Sequence, residues 1–352
     1  MCGVVAVLRR RSSVAPPDPT ELAGDVDAAL GHLSAGPAGL ADAAAGFEVL
    51  DGQLRGPAGV RVLASDPALT ARLEAAMAEA RSAIAGMEAD LDAGRLGLTG
   101  PELEAANAAI VRLKDAVWAI ASDRLRAARE VTALAAGPRT DGPETDGPEI
   151  YGTEIGPAAI EAYWSVHVAL SAIDRLEVRG RDSAGLHLLV TGHGLDPSDP
   201  EITGRAGDPL FRSGAVRVIP ADAGGPALAF VYKAAAEIGE LGDNVRAVRA
   251  AITGDDLLRR ALAGPDAEVT VVGHTRWASV GLISEPNAHP LNSEEQGRDQ
   301  APYVAAALNG DVDNHLELRA AEGLATPAEI TTDAKVIPML VSRRMAGGAE
   351  PA

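Results

Sequence analysis

The order of apolar patterns along the chain constrains its fold more than any other feature of the sequence. Residues 2–8 form a short apolar run rich in valine, which predicts a strand that is buried on both faces. Helical spacing dominates the next part of the chain. After residue 157, strand-like and helix-like segments are mixed without a regular βαβ alternation. Such a mixture favours a layered α+β fold.

Two stretches with helical spacing predict an α-helical hairpin in the first half of the chain. Asp66 followed by Pro67 is typical of a helix start, because the carboxylate caps free amides and proline needs no amide donor there. Thr99 and Glu102 form a capping-box pattern that predicts the start of a second helix. Residues 20–60 carry only weak helical signals. The apolar stripes of the two helices comprise Leu69, Leu73, Met77, Ala80, Ile84, Met87 and Leu91, and Leu103, Ala106, Ile110, Leu113, Val117 and Ile120.

The segment 137–157 separates this helical part from the rest of the chain. It contains "TDGPE" twice, is rich in proline, glycine and acidic residues, and has no apolar period. Such a composition predicts a flexible linker or an exposed loop.

Charge and cysteine content exclude several classes of function. The chain of 352 residues has a formal net charge of −19, which disfavours nucleic acid and anionic membranes as partners. Its single cysteine cannot form an internal disulfide. No apolar run reaches the roughly 20 residues of a membrane helix, and the N-terminal apolar run precedes its arginines, the reverse of a signal peptide. We therefore expect a soluble, cytoplasmic protein.

Four loop motifs follow apolar runs, which is where a rigid scaffold presents functional residues. They are "RGRDSAG" (179–185), "GHTRWASVG" (273–281) with "NAHP" (287–290) after it, "LNGDVDN" (308–314) and the weaker "TTDAKVI" (331–337). The remaining histidines have no metal-ligand spacing, so we expect neither a metal nor another cofactor.

These motifs contain the groups that are needed to cleave an amide. Cys2 can act as a thiol nucleophile, and removal of Met1 would give it an α-amine that accepts a proton near neutral pH. Asn309 and Gly310 can stabilise an oxyanion. Arg276 offers a planar fork for a carboxylate, and Asp333 can hold an ammonium group. A substrate with all three features is an amino-acid amide such as glutamine.

Each of these groups also has an ordinary structural interpretation. A lone cysteine is usually a small buried apolar residue. An Asn-Gly pair is most often a hairpin turn, and an arginine before a tryptophan is most often part of a surface ion pair or a cation–π contact. The individual motifs leave both interpretations open.

In combination, the motifs resemble those of the class II glutamine amidotransferases, whose glutaminase domain belongs to the N-terminal-nucleophile hydrolases. Such proteins open with Met-Cys-Gly and a strand rich in valine or isoleucine, as this chain does. They carry counterparts of "LEVRGRDSAG", "HTRWASVG", "NAHP" and "LNGDVDN" in the same order. Within the class, "DSAG" and "TRWA" are most similar to the glutamine–fructose-6-phosphate aminotransferases.

The resemblance implies a role for each residue of the covalent step. Cys2 is the nucleophile that forms a glutamyl thioester. Asn309 and Gly310 form the oxyanion hole, while Arg179 and Gly180 lie beside the nucleophile.

The resemblance also implies the residues that hold the substrate. Arg276 binds the α-carboxylate of L-glutamine with Ser279 in support, and Asp333 binds its α-amino group. Trp277 stands where the family has a tryptophan that gates the passage of ammonia.

The chain departs from the family at several positions near these motifs. Val280 and Leu308 replace histidines, Arg181 replaces a tyrosine, and Ala334-Lys335 replaces Thr-Glu after Asp333. Neither replaced histidine takes part in the covalent chemistry, so these departures do not exclude activity, and they leave open a change in glutamine affinity or coupling.

For the architecture, the resemblance implies a four-layer αββα sandwich made by residues 1–11 and 158–352. This glutaminase domain is expected to be incomplete at its C-terminus. Residues 12–157 have no counterpart in the family and form an alanine-rich helical insertion, which contains the hairpin and ends in the linker.

The expected function is that of the glutaminase part of a glutamine–fructose-6-phosphate aminotransferase. It hydrolyses glutamine, and the ammonia is used to make glucosamine 6-phosphate at sugar-isomerase domains in a longer chain or a partner subunit. We also expect a homo-oligomer. The alternatives are a glutaminase that serves another ammonia acceptor and a non-catalytic interaction protein built on a degenerate glutaminase fold.

Overall fold

A computed structural model describes residues 2–137, 155–220, 225–236, 240–296 and 302–349. Most of the predicted linker, residues 138–154, lies outside this range. The chain divides into two compact units. The helical unit comprises the described residues of 12–133 and 155–164, and the sheet unit comprises those of 2–11, 134–137 and 165–349.

The helical unit contains more helices than the predicted hairpin. They are α1 (Pro19–Ser34), α2 (Leu40–Gln53), α3 (Gly56–Ser65), α4 (Pro67–Asp92) and α5 (Pro101–Ala119), followed by a π-helical turn (Ile120–Leu125) and α6 (Arg126–Ala136). Helices α4 and α5 lie where the hairpin was predicted, and α1 to α3 form where the sequence carries only weak helical signals. The helices α1 to α3 lie where the apolar period is weak, because their buried faces use small residues such as Ala29, Ala43 and Ala44 beside Phe47.

The starts of α4 and α5 show where capping patterns succeed and fail. The Asp66 carboxylate accepts a hydrogen bond from the N–H of Leu69 at 2.9 Å, as predicted. The predicted capping box of Thr99 and Glu102 is wrong. Helix α5 begins after Gly100, whose φ of 50° suits glycine, and it has no side-chain cap. A glycine turn followed by Pro101 therefore starts this helix.

The sheet unit is built on one five-stranded antiparallel sheet with the strand order β1-β5-β2-β4-β3. Its strands are β1 (Gly3–Val7), β2 (Ser183–Thr191), β3 (Val216–Ile219), β4 (Ala227–Ala234) and β5 (Glu268–Arg276). A second pair joins β6 (Leu291–Asn292) to β7 (Ala305–Ala306). The helices of this unit are the end of α7 (Pro157–Leu176), α8 (Pro200–Ala206), α9 (Asp243–Thr253), α10 (Asp256–Leu262), α11 (His315–Glu322) and α12 (Val336–Ala346).

This mixture of helices with an antiparallel sheet is consistent with the predicted α+β class. One detail of the strand predictions was wrong. Strand β1 lies at the edge of its sheet and leaves Val4 45% exposed, so it is not buried on both faces. Before Asn309, strand structure is limited to Ala305 and Ala306.

The two faces of the five-stranded sheet differ in polarity because side chains alternate along each strand. One face packs against α7 through residues such as Leu186 and Gly273. Close approach to α7 also explains Gly3, where an added Cβ would lie 2.5 Å from the Cβ of Leu176. The opposite face is polar. Across its central strands the cross-strand pairs are Ser183 with Arg276, Gly185 with His274, and Gly185 with Lys233.

Gly273→Ala is expected to destabilise the sheet unit. The added Cβ would lie 2.6 Å from Leu186 Cδ2 and 2.8 Å from Val5 Cγ1, which leaves no room for it. Overpacking of this kind costs about 1–3 kcal/mol of unfolding free energy. Gly204→Ala in α8 is the matched control, because its Cβ would meet no atom within 4 Å. Urea unfolding of both variants checks the prediction, and equal midpoints would contradict it.

Candidate active site

Cys2 lies at the start of the edge strand β1, next to the end of β5. The register pairs Gly3 with Thr275, so the preceding residue faces the Arg276–Trp277 segment. The backbone N–H of Trp277 points at the Cys2 sulfur at 3.3 Å, and the backbone N–H of Cys2 donates to Asn309 Oδ1 at 3.2 Å. The thiol is half-buried.

Arg276 is a buried cation at the end of β5. Only 3% of it is exposed, and its guanidinium donates to the carbonyl oxygens of Leu282, at 2.9 Å, and of Val280. Burial lowers the pKa of Arg276, and the negative charges of Cys2, Asp182 and Asp333 oppose that shift. A guanidinium stays charged in proteins, and its planar fork of N–H donors matches the geometry of a carboxylate.

Asp333 is a buried carboxylate that the backbone holds in place. It accepts hydrogen bonds from the N–H of Val312 at 2.5 Å and from the hydroxyl of Thr332 at 3.2 Å. Only 4% of Asp333 is exposed. The negative charge of Asp333 acts to raise the pKa of Arg276, so this anion and this cation lie in the same region of the sheet unit. Such a pair can bind the two charged groups of an amino acid.

Asn287, which the site prediction missed, ties the Asp333 segment to the rest of the site. Its Oδ1 accepts hydrogen bonds from the backbone N–H groups of Thr331, at 2.7 Å, and Thr332, at 2.9 Å. The hydroxyl of Thr331 in turn accepts from the N–H of Leu282 at 3.0 Å. Asn287 belongs to the "NAHP" motif, which was the available sequence signal.

Asp182 is a second residue that the site prediction missed. Its Oδ2 accepts a hydrogen bond from the N–H of Ala278 at 2.7 Å, and its own N–H donates to the carbonyl of Arg276 at 3.1 Å. The two contacts bracket Trp277 and fix the peptide that points at the Cys2 sulfur. The sequence signal was its place in "RGRDSAG".

The other predicted site residues lie around this centre with fewer contacts. Trp277 is 53% exposed. The hydroxyl of Ser279 donates to Asp311, and Gly310 is exposed with no atom closer than 3.7 Å to an added Cβ. Gly180 packs on β5, where an added Cβ would lie 2.8 Å from the carbonyl oxygen of Thr275. Arg179 is exposed.

The structure thus joins Cys2, Trp277 and Asn309 by direct contacts, with Arg276 next in the chain and Asp333 within electrostatic range of it. Within the described part of the chain, no cluster of three metal-binding side chains occurs. None of the described helices is long and apolar enough to cross a membrane.

Two lysines are buried in the same unit as these residues. Lys335 is 1% exposed and donates to the backbone oxygen of Asn292 at 2.6 Å, whereas Nζ of Lys233, which is 3% exposed, has no hydrogen-bond partner among the described residues. Burial, and then the charge of Lys335, lower the pKa of Lys233 to about 7. Burial lowers the pKa of Lys335 to about 8.

No protein-family model matches the chain, and no solved structure matches it. Part of the chain is similar to curated proteins named glutamine–fructose-6-phosphate aminotransferase [isomerizing]. That of Bordetella pertussis is 43% identical over 79 residues, which are 22% of this chain and 13% of the relative. That of Mesorhizobium japonicum is 37% identical over 98 residues, 27% of this chain and 14% of the relative.

A third relative of the same name, from Aquifex aeolicus, is 37% identical over 94 residues, which cover 26% of this chain and 14% of the relative. These matches relate about a quarter of the chain to that group of aminotransferases. The matched part spans about one seventh of the length of the relatives.

Lys233→Met is expected to flatten the pH dependence of stability. A lysine in the unfolded chain keeps its proton up to about pH 10.5, whereas folded Lys233 releases it near pH 7. The unfolded state then binds more protons, so the unfolding free energy rises with pH, by up to about 1.4 kcal/mol per pH unit for each such group. Removing the amine should stabilise the protein at pH 7 and reduce this slope.

Urea unfolding between pH 7 and 9.5 measures the slope. Lys114→Met is the control, because Lys114 is exposed and pairs with Glu88 at 2.8 Å on the surface of the helical unit. A slope in Lys233→Met equal to that of the wild type would contradict the assignment of a depressed lysine pKa.

Proposed function

We propose that this chain is a glutaminase in which Cys2 is the nucleophile. The observation that carries the proposal is the pair of contacts at Cys2: the N–H of Trp277 on its sulfur and Oδ1 of Asn309 on its nitrogen. They link the N-terminal residue to two loops that are far away in sequence. A buried structural cysteine would need neither contact.

The proposed reaction begins once Met1 has been removed, so that the nitrogen of Cys2 is an amine. The amine takes the thiol proton while the sulfur attacks the side-chain amide carbon of glutamine. The carbonyl oxygen becomes an oxyanion, which Nδ2 of Asn309 and the N–H of Gly310 stabilise. The amine returns the proton to the leaving nitrogen, ammonia departs, and a thioester remains, which water then hydrolyses to glutamate.

Substrate binding is assigned to the region of the two buried charged groups, Arg276 and Asp333. The guanidinium of Arg276 holds the α-carboxylate of glutamine with support from Ser279, and the carboxylate of Asp333 holds the α-ammonium group. Burial supports this assignment, because charges in a desolvated pocket attract a zwitterion more strongly than the same charges in water. Arg179, Gly180 and Trp277 are proposed to border the nucleophile.

At the level of the whole protein, we propose a cytoplasmic glutamine–fructose-6-phosphate aminotransferase, in which the ammonia is used to make glucosamine 6-phosphate. The partial similarity to aminotransferases of that name supports this choice. The proposal includes sugar-isomerase domains, in a longer chain or in a partner subunit, and a homo-oligomer. It also includes an N-terminal-nucleophile sandwich formed by residues 1–11 and 158–352, into which residues 12–157 are inserted. A different ammonia acceptor is the alternative within this class.

One observation favours the second candidate, a non-catalytic interaction protein. A groove of about 450 Å³ in the helical unit is lined by Ile84, Val117 and Trp118, and Trp118 is 61% exposed. Exposed apolar grooves can mark contact surfaces for other proteins. This candidate predicts that glutamine is neither bound nor hydrolysed.

Cys2→Ser is expected to abolish glutamine hydrolysis while glutamine binding persists. A hydroxyl is far harder to deprotonate than a thiol, so hydrolysis should fall by about 10³-fold or more. Binding should be retained because Arg276 and Asp333 are unchanged. Ammonia release reports turnover, and calorimetry with glutamine reports binding.

Two further variants make this test specific. Cys2→Ala shows whether the serine hydroxyl contributes residual activity, and Thr191→Ala, at the exposed far end of β2, should keep full activity. Glutamine hydrolysis that survives in Cys2→Ser would overturn the nucleophile assignment. Absence of glutamine binding to the wild type would favour the interaction protein.

A further inference from the structure

Two histidines that the proposed reaction does not use contact the backbone of the same residue, Leu308. Nε2 of His274 lies 3.0 Å from the backbone oxygen of Leu308, and the backbone N–H of Leu308 points at Nδ1 of His289 at 3.4 Å. The two rings lie face to face at a tilt of 34°, with their centroids 4.5 Å apart. Leu308 directly precedes Asn309 and Gly310.

The chemistry of these contacts fixes the proton on each ring. A carbonyl oxygen only accepts, so Nε2 of His274 must carry the proton that it donates. An amide N–H only donates, so Nδ1 of His289 must offer its lone pair and the proton of that ring must sit on Nε2. Burial lowers the pKa of His274 to about 4 and that of His289 well below its usual value, so both rings are neutral near pH 7.

Both histidines are buried against the five-stranded sheet. His274 is fully buried in the middle of β5. His289 is 4% exposed, and its backbone packs against Gly185 of β2. A Cβ added at Gly185 would lie 2.3 Å from the backbone oxygen of His289. The absence of a side chain at Gly185 therefore allows His289 to lie over the sheet next to His274.

The side chain of Leu308 also helps to hold this residue in place. It packs against the buried cluster of Leu291, Ile330 and Ala334. The hydrogen bonds of the histidines go to its backbone, which every residue type except proline presents in the same way. After this anchored residue, the chain reaches Asn309, whose Oδ1 accepts from the nitrogen of Cys2 at 3.2 Å.

We propose that His274 and His289 are positioning residues that hold the backbone oxygen and the backbone N–H of Leu308 and thereby set Asn309 in place beside Cys2. The inference rests on the proposed glutaminase function, in which Asn309 donates to the oxyanion. The oxyanion exists only in the transition state, so a displaced Asn309 slows the reaction without weakening glutamine binding. A displacement of about 1 Å can cost about 10²-fold in rate.

Two pairs of variants separate this role from a general structural role. An asparagine at position 289 can present its Oδ1 where Nδ1 of the imidazole lies, and a glutamine at position 274 can present its N–H where Nε2 lies. His289→Asn and His274→Gln therefore keep the hydrogen bond to Leu308, whereas His289→Leu and His274→Met remove it.

The expected result is a split between kcat and binding. His289→Leu and His274→Met should lower kcat for glutamine hydrolysis by about 10- to 100-fold and leave the Kd for glutamine within about twofold. His289→Asn and His274→Gln should recover most of kcat. The proposal is overturned if His289→Leu and His274→Met leave kcat unchanged, or if kcat and glutamine binding fall together in them. It is also overturned if His289→Asn and His274→Gln do not recover kcat.

A measurement on the unmutated protein keeps the test independent of activity and of the folding of the variants. Nitrogen-15 NMR of histidine-labelled protein should show both rings neutral at pH 7 with the proton on Nε2. A proton on Nδ1 of His289 overturns the arrangement even in an active enzyme. If both rings show the expected tautomer but the wild type neither hydrolyses glutamine nor binds it, the glutaminase proposal fails, and with it the assigned purpose of the histidines, while their contacts with Leu308 stand.

Discussion

The pairing of β1 with β5 is the constraint on which the candidate site depends. Strand β1 has only five residues, and the register that pairs Gly3 with Thr275 brings Cys2 to Trp277. A shift of one residue would turn the cysteine to the opposite face of the sheet, toward α7. Gly3 contributes to this register, because any side chain there would collide with Leu176. Cys2 is thus placed by the geometry of a strand rather than by contacts of its own side chain alone.

Several charged side chains of the sheet unit are buried. Arg276, Asp333, Lys233 and Lys335 are each less than 5% exposed. Removing such charges from water costs free energy unless partners compensate. Arg276 and Lys335 find backbone oxygens and Asp333 finds a backbone N–H, whereas Nζ of Lys233 has no hydrogen-bond partner in the described part of the chain. The sheet unit therefore contains one buried amine, that of Lys233, whose burial no hydrogen bond among the described residues compensates, and this lowers the stability of the fold.

Patterns with a local cause were predictable from the sequence. The helix start at Asp66 needs only its own carboxylate and the following proline, and the strands β2, β4 and β5 are long apolar runs. The helices α1 to α3 were missed because buried alanines give little periodic signal. The capping box at Thr99 failed because Gly100 and Pro101 provide a competing way to start α5.

The site shows the same division between local and long-range causes. Resemblance of motifs suggested Cys2, Arg276 and Asn309, and the roles assigned to them stay predictions. The parts that act through the backbone were not predictable, because Asp182, Asn287, His274 and His289 are joined to backbone groups 19 to 96 positions away only after folding. A motif shows that a residue type is present, but not which distant peptide it holds.

The identity of the atom that reacts with a glutamine-like electrophile tests the central claim most directly. A diazo-ketone analogue of glutamine should label the purified protein once, and peptide mass spectrometry should locate the adduct on Cys2, with Met1 absent and the α-amine free. This result follows if the sulfur beside the N–H of Trp277 is the nucleophile. An unlabelled protein, an adduct on another residue, or labelling of a chain that retains Met1 would contradict the account.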